Sequence, residues 1–322
     1  MMRVYDLVII GGGPAGMSSA LKAKENGIDN VLIIEREEYL GGALMPCIHY
    51  GFGEKILNKK VTGTELMQYL VDKVEKSRIE CSLSSLVLDV TKDKIITYVN
   101  SNDGVVSIKS KNIIFATGAR EKYTGNIEIA TKSYSGIYTL GTAHKFVNLQ
   151  GYLPGKSIII FGTNDRALII ARRLITEGAS VKALIESSNE IRARVKENRE
   201  IIDLYNIPIC FNSKIKDVFG KERITGLVIE NVISKEQTEL FCDSLLLTVA
   251  WKSETDLLKK AKVELIDNNE TVYVNDKYMT SQKGVFAVGS VLNPRYWADD
   301  AIIQGEKAGE EVSKLIRLTS KA

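Results

Sequence analysis

The feature that most constrains this 322-residue chain is a pattern it carries twice. The first copy opens with the apolar run Val4–Ile10 and turns at Gly11-Gly12-Gly13-Pro14-Ala15-Gly16. It continues with helically spaced Met17, Ala20 and Leu21, stops at Gly27, and ends with the apolar run Val31–Ile34 and Glu35. The second copy opens with Ser157–Phe161 and turns at Gly162-Thr163-Asn164-Asp165-Arg166-Ala167. It then carries Leu168, Ile169, Ala171 and Leu174, stops at Gly178, and ends with 181–185 and Glu186. In both copies 24 residues separate the leading glycine from the closing acid. Short apolar runs on either side of a 3.6-residue period read as strand, helix, strand. Two such units with equal spacing imply an internally repeated α/β chain, consistent with roughly two domains at about 150 residues each.

The two units are also alike in the segments that come after them. After Glu35 the spacing predicts a helix over about 62–77, opened by a capping box between Thr62 and Glu65. Strands are predicted at 86–90, 95–99 and 105–109, then a buried strand at 112–116 leading to Thr117-Gly118. After Glu186 a helical stretch runs to about Tyr205. Strand-like segments come next near 209–211, 215–219, 224–233 and 238–241, and 244–249 closes the unit. Each half thus reads as a parallel sheet plus an antiparallel meander. The tail adds strands at 271–274 and 285–288 and an amphipathic helix over 299–318.

The first glycine run has a chemistry of its own. Gly11 permits the tight turn, Gly13 lets the backbone approach a diphosphate without a Cβ in the way, and Gly16 lets helix and strand pack closely. A diphosphate there meets the positive end of a helix, and Glu35 is spaced to accept hydrogen bonds from a ribose.

Composition removes other classes. With 43 basic and 40 acidic residues the chain has no charge excess suited to nucleic acid. Two histidines do not make a His-rich metal site, and Cys47, Cys81, Cys210 and Cys242 share no CxxC or zinc spacing. Four isolated thiols fit a reducing compartment. No apolar run approaches the roughly 18 residues of a membrane span. A cytoplasmic protein without a membrane span is expected.

Over essentially its whole length the chain resembles the pyridine nucleotide–disulfide oxidoreductases, flavoproteins with two dinucleotide-binding domains, and its size resembles their small thioredoxin-reductase-like branch. The likeness rests on the loop at 11–16, on Phe115-Ala116-Thr117-Gly118-Ala119-Arg120, and on Gly284-Val285-Phe286-Ala287-Val288-Gly289-Ser290. It implies two Rossmann-like domains, the second inserted in the first: an FAD-binding domain at 1–120 and 251–322 and an NAD(P)-binding-like domain at 121–250, with hinges near 118–125 and 249–255. It implies FAD contacts at Gly11, Gly13, Pro14, Ala15, Gly16, Glu35, Arg36, Gly42, Ala43, Thr117, Gly118, Ala119, Gly289, Ser290, Ala301 and Ile302. The start of the last helix, near 300–302, would face the flavin pyrimidine ring, where a helix dipole stabilises negative charge. NAD(H) contacts would fall at Gly162, Asn164, Asp165, Arg166 and Glu186, with Glu186 favouring NAD over NADP because a carboxylate repels a 2′-phosphate.

Four departures matter. Where thioredoxin reductases place a redox CxxC, this chain reads Tyr138-Thr139-Leu140-Gly141-Thr142-Ala143-His144-Lys145, and the segment 41–49 holds one cysteine, Cys47. Dithiol exchange needs two sulfurs. Ser290 stands where the family usually has Asp. Asn164 replaces the middle glycine of the second loop; Asn tolerates a positive φ, and Arg166 could compensate at the phosphate. Trp251 replaces a glycine-containing turn and would crowd the nicotinamide. A further likeness links 41–53, 136–139 and 151–156 to a CxxC-less bacterial subgroup grouped with glycerol-3-phosphate- or opine-oxidising dehydrogenase subunits.

Cys47 and His49 offer two readings: an activated thiol–imidazole pair beside the flavin, or a small buried hydrophobe and a backbone-satisfied imidazole. Arg295-Tyr296-Trp297 reads as a wall of the flavin pocket or a packed aromatic loop, Asp299-Asp300 as the cap of the last helix, and His144 as a surface or packing residue. Three functions stay open: an NAD(P)H oxidoreductase passing electrons through flavin N5 to a small-molecule or protein acceptor that is not an internal disulfide; an electron-relay subunit serving a dehydrogenase partner; and a nucleotide-binding interaction module. A homodimer is compatible with each.

Overall fold

The computed structural model describes residues 2–122, 134–266 and 270–319. The chain divides into two compact units, Met1–Arg120 with Trp251–Ala322, and Glu121–Ala250. Positions 123–125 of the first expected hinge lie outside the described residues.

The first unit is built on a seven-stranded sheet ordered Glu80–Ser82, Val31–Ile34, Val4–Ile10, Gly104–Phe115, Ile95–Asn100, Leu86–Val90, with Val285–Ala287 also paired to Gly104–Phe115. The central strands are parallel, with Leu7 opposite Val31 and Val8 opposite Ile113. Their unbroken apolar runs result from burial on both faces. Leu7, Ile9 and Ile33 pack with helices Pro14–Glu25, Gly63–Lys76 and Ala298–Thr319, while Val8, Ile10 and Leu32 pack toward the meander around Val87, Ile96 and Ile108. Each fully buried side chain of this size contributes about 1.5–3 kcal/mol.

The helix read at 62–77 is Gly63–Lys76, and its capping box is formed: Glu65 N donates to Thr62 Oγ1 at 3.2 Å and Thr62 N to the Glu65 carboxylate at 2.7 Å. The strands expected at 105–109 and 112–116 are one, Gly104–Phe115. Polar residues 109–111 hide the continuity. Ser110 is buried, its hydroxyl donating to Asn112 O at 2.6 Å, and Lys111 turns outward to Asp6 at 2.8 Å.

The second unit has a five-stranded parallel sheet, ordered Ile137–Thr139, Ser244–Leu247, Ser157–Phe161, Ser180–Ile185, Ile209–Cys210. A separate antiparallel meander comprises Ser213–Gly220, Ile224–Asn231 and Gln237–Phe241. The edge strand Ile137–Thr139 is three residues long, too short to show a pattern in the sequence. Both units are therefore parallel α/β sheets with antiparallel meanders. Among the described residues no helix is long and apolar enough to cross a membrane.

Candidate functional site

Each unit brings its glycine loop to the carboxyl end of a central parallel strand, Val4–Ile10 in one and Ser157–Phe161 in the other, and the two loops share a backbone. Gly11 sits at φ +108° and Gly162 at φ +109°. Their amides donate to the carbonyls of Ile34 and Ile185 at 2.9 and 2.7 Å. A Cβ at Gly11 would stand 2.3 Å from Ala116 O, and one at Gly16 would stand 1.9 Å from Gly11 O. Both positions exclude any side chain.

The first loop is open where a diphosphate would lie. Gly13 is the N-cap of Pro14–Glu25 and brings no side chain to it. The first i→i−4 bond runs from Met17 N to Gly13 O at 2.9 Å, so the amides of Ala15 and Gly16 precede the helical ladder. Pro14 occupies the first turn, where its missing N–H costs nothing. Gly41 N donates to Gly12 O at 2.8 Å, which straps 41–42 beside the loop. A Cβ built on Gly13 would meet Gly42 Cα at 4.0 Å. Two facing glycine backbones and a helix N-terminus fit an FAD diphosphate. Glu35 is buried and accepts from Gly12 N at 2.6 Å and Glu37 N at 2.9 Å.

Distant segments complete this face of the first unit. Gly289, at φ +78°, packs against Ala15 and donates its N–H to Gln304 Oε1 at 2.9 Å. Gly305 and Gly309 let the final helix lie against the first, where a Cβ would meet Ser18 Oγ and Ser19 O. Gln304, Gly305 and Gly309 escaped the sequence reading; small residues four apart on both helices were the available signal. Ala301 and Ile302 are buried in the first turn of the final helix, and Ala301 N already donates to Trp297 O at 3.0 Å. The amides ahead of the ladder are thus those of 298–300. Asp299 and Asp300 lie inside that first turn rather than capping it. The Asp299 carboxylate accepts from Gly53 N and Lys55 N at 2.9 and 3.0 Å, which ties the loop at 53–55 to the final helix, and Asp300 pairs with Lys55.

The remaining first-unit candidates have their own partners. Thr117 Oγ1 donates to Glu254 O at 2.8 Å, Gly118 sits at φ +76° with Glu254 N donating to its carbonyl, and Ala119 begins a short strand. Ser290 O accepts from Ser253 Oγ. Arg36 is exposed, about 4.0 Å from Glu254. Trp251 opens the strand Trp251–Ser253 of the first unit. Cys47 Sγ donates to Ala43 O at 3.2 Å, while His49 Nδ1 lies 3.0 Å from Tyr50 O.

The second loop spends its polar side chains internally. Asn164 is in ordinary extended backbone at φ −75°, as is Gly13 at φ −73°, so the middle position asks for no positive φ. Its Oδ1 accepts from Ala167 N at 3.0 Å, the amide that in the first loop stays open. Asp165 accepts from Arg194 N, Val195 N and Asn198 Nδ2 at 2.9–3.1 Å. Thr163 Oγ1 donates to Glu186 Oε2 at 2.6 Å and accepts from Arg192 N at 2.9 Å. Glu186 also accepts from Ser188 N and Oγ, and Arg192 lies 3.8 Å away. Burial pushes this carboxyl up, but those donors and the Arg192 charge outweigh it and hold it below its ordinary value. Gly162, Thr163, Asn164, Glu186, Ser187 and Arg192 line a cavity of about 240 Å³. Arg166 is exposed.

The cysteines are all free thiols. Burial pushes Cys242 up to about 12 and Cys81 up to about 11. At the start of the short helix Leu140–Lys145, Thr139 and Thr142 hold their hydroxyl oxygens 2.9 Å apart.

Residues 5–311 match the family described as pyridine nucleotide-disulphide oxidoreductase. The chain belongs to that family. It is 30% identical over 296 residues to a ferredoxin–NADP reductase of Streptococcus sanguinis, covering 90% of this chain and 86% of the relative. It is 26% identical to a thioredoxin reductase of Streptomyces clavuligerus, covering 92% and 88%. The fold is that of the T. acidophilum thioredoxin reductase crystal structure, with a TM-score of 0.81 at 21% identity over 99% of this chain and 100% of that one. The family member is an FAD-dependent oxidoreductase that uses a pyridine nucleotide. Catalysis, rather than nucleotide binding alone, is the family's trade, and the interaction-module reading gives way.

Proposed function

We propose that this oxidoreductase passes electrons from NADH through FAD to an acceptor outside the chain, with no internal disulfide in the path. The observation that carries this is that 138–145, the stretch matched to the redox CxxC of thioredoxin reductases by resemblance, holds no cysteine, and that Thr139 and Thr142 pair their hydroxyls with each other there. A hydroxyl pair neither accepts nor stores electrons. Bound FAD would supply hydride acceptance from the nicotinamide.

The chain's own residues supply position. The amides of Ala15 and Gly16 and the open backbones of Gly13 and Gly42 hold the FAD diphosphate. Glu35, fixed by Gly12 N and Glu37 N, orients toward the adenosine ribose. The cavity at Gly162, Ser187 and Arg192 takes the adenosine end of the nicotinamide coenzyme. The charge kept on Glu186 opposes a 2′-phosphate, so NADH is preferred over NADPH. The streptococcal relative is named for ferredoxin and NADP as its redox partners, which favours a protein electron carrier.

A reductive titration tests the reading. The FAD-loaded protein takes two electrons per flavin, and anaerobic NADH bleaches the flavin band in stopped flow. Uptake of four electrons would reveal a hidden disulfide. A second reading, a relay subunit of a larger dehydrogenase with a vestigial coenzyme site, is favoured by the capped amide of Ala167 and the latched Asp165. It predicts no bleaching by NADH or NADPH, with reduction by dithionite intact.

A further inference from the structure

We propose that the face formed by Ile48, Tyr50, Arg295, Tyr296 and Trp297 is the docking surface for a small acidic one-electron carrier protein. The inference rests on the proposed function, in which the acceptor lies outside the chain.

The first support is residue type and exposure. Tyr50 is 70% exposed and Trp297 52%, with Ile48 and Tyr296 also exposed. One exposed apolar side chain is ordinary, but Tyr, Trp and Arg together are the composition of an interface centre. The second support is rigidity. The His49 and Phe52 rings lie 5.1 Å apart, Phe52 meets Trp297 edge-on at 6.4 Å, and Asp299 holds the amides of Gly53 and Lys55. Two segments distant in sequence thus form one platform that is ordered before any partner arrives. The third support is placement. These segments continue directly from Gly41–Gly42 and from the Gly289 turn, which form the candidate FAD face. Electron transfer between proteins weakens steeply with distance, so a carrier must dock beside the cofactor.

Charge selects the partner. Lys55, Lys59, Lys60 and Arg295 are exposed on these segments, and Lys59 O lies 3.2 Å from the Cβ position of Gly53. The exposed acid among them is Glu54, while Asp300 is engaged by Lys55. A cationic rim around an aromatic centre steers an acidic partner into a small, short-lived interface. The reaction balances as one NADH and two oxidised carriers giving NAD⁺, one proton and two reduced carriers.

The test uses the full FAD-loaded chain, photoreduced so that NADH plays no part. It is mixed in stopped flow with oxidised rubredoxin (acidic), cytochrome c (basic) or ferricyanide. Rubredoxin reduction is expected to slow with added salt. It falls tenfold or more in the Lys59→Glu/Lys60→Glu variant and several-fold in Tyr50→Ser, with ferricyanide rates unchanged. Cytochrome c gains in the charge-reversed variant. A wild-type chain that fails to reduce rubredoxin, or variants that reduce it at the wild-type rate, would overturn the proposal. Failure of NADH to bleach the flavin would touch the coenzyme reading alone.

Discussion

Thr139 Oγ1 and Thr142 Oγ1 are hydrogen-bonded at 2.9 Å across the first turn of Leu140–Lys145, at its N-cap and third positions. Thr139 also accepts from Thr142 N at 3.4 Å, and Gly141 N donates to Glu121 at 2.9 Å, so the turn is held from two sides.

Thr139→Cys/Thr142→Cys is therefore expected to form a disulfide, because side chains already in contact across one helical turn meet the usual Cα separation of about 4.4–6.8 Å. Thiol titration of the reduced double variant should show two more thiols than wild type, and oxidation should remove both. Persistence of both thiols under oxidant would mean the turn is held differently.

Asn164→Gly removes the cap on Ala167 N and returns that amide to a bound phosphate. The helix loses only a few tenths of a kcal/mol, since Gly is an acceptable N-cap. One recovered charge-assisted hydrogen bond, worth about 1.5–3 kcal/mol, should tighten NADH binding by roughly tenfold or more. A fluorescence titration with NADH reads this directly, and an unchanged Kd would show that the cap does not compete with the coenzyme.

The acids of the second loop set a pH limit. Burial raises Glu186 and Asp165, but their hydrogen bonds outweigh it and leave both below their ordinary values of 4.5 and 3.8. A carboxyl depressed in the folded state stabilises it above the unfolded value and loses that contribution as pH falls through the folded value. Stability should thus be flat from neutrality to about pH 4.5 and decline below it. Glu186→Gln should be less stable at pH 7, with a shallower acid decline. Urea unfolding at pH 7, 5, 4 and 3 measures both slopes, and identical slopes would remove Glu186 from the account.

Part of the candidate site was legible because it rests on local rules. Gly11 and Gly162 adopt a positive φ that favours glycine, and the strands beside them are apolar throughout because both faces are covered. The Thr62–Glu65 box spans three residues and could be read directly. Other features had no local trace. Polar residues 109–111 concealed a continuous strand. Asp299 looked like a helix cap until the fold brought Gly53 to it from 246 residues away. Gln304 became a partner of Gly289 only through helix packing.

The order of residues alone determined the repeated strand–glycine–helix–strand–acid units and showed that no two cysteines stand in CxxC spacing, since φ preference, periodicity and spacing act over a few residues. Tertiary structure decided which hydrogen-bonding groups stay open. The two loops share nearly the same backbone, yet one leaves its first-turn amides clear while the other caps Ala167 with Asn164 and binds Asp165 to the segment at 194–198. A donor's availability depends on every acceptor the fold carries to it, and many of those come from far along the chain.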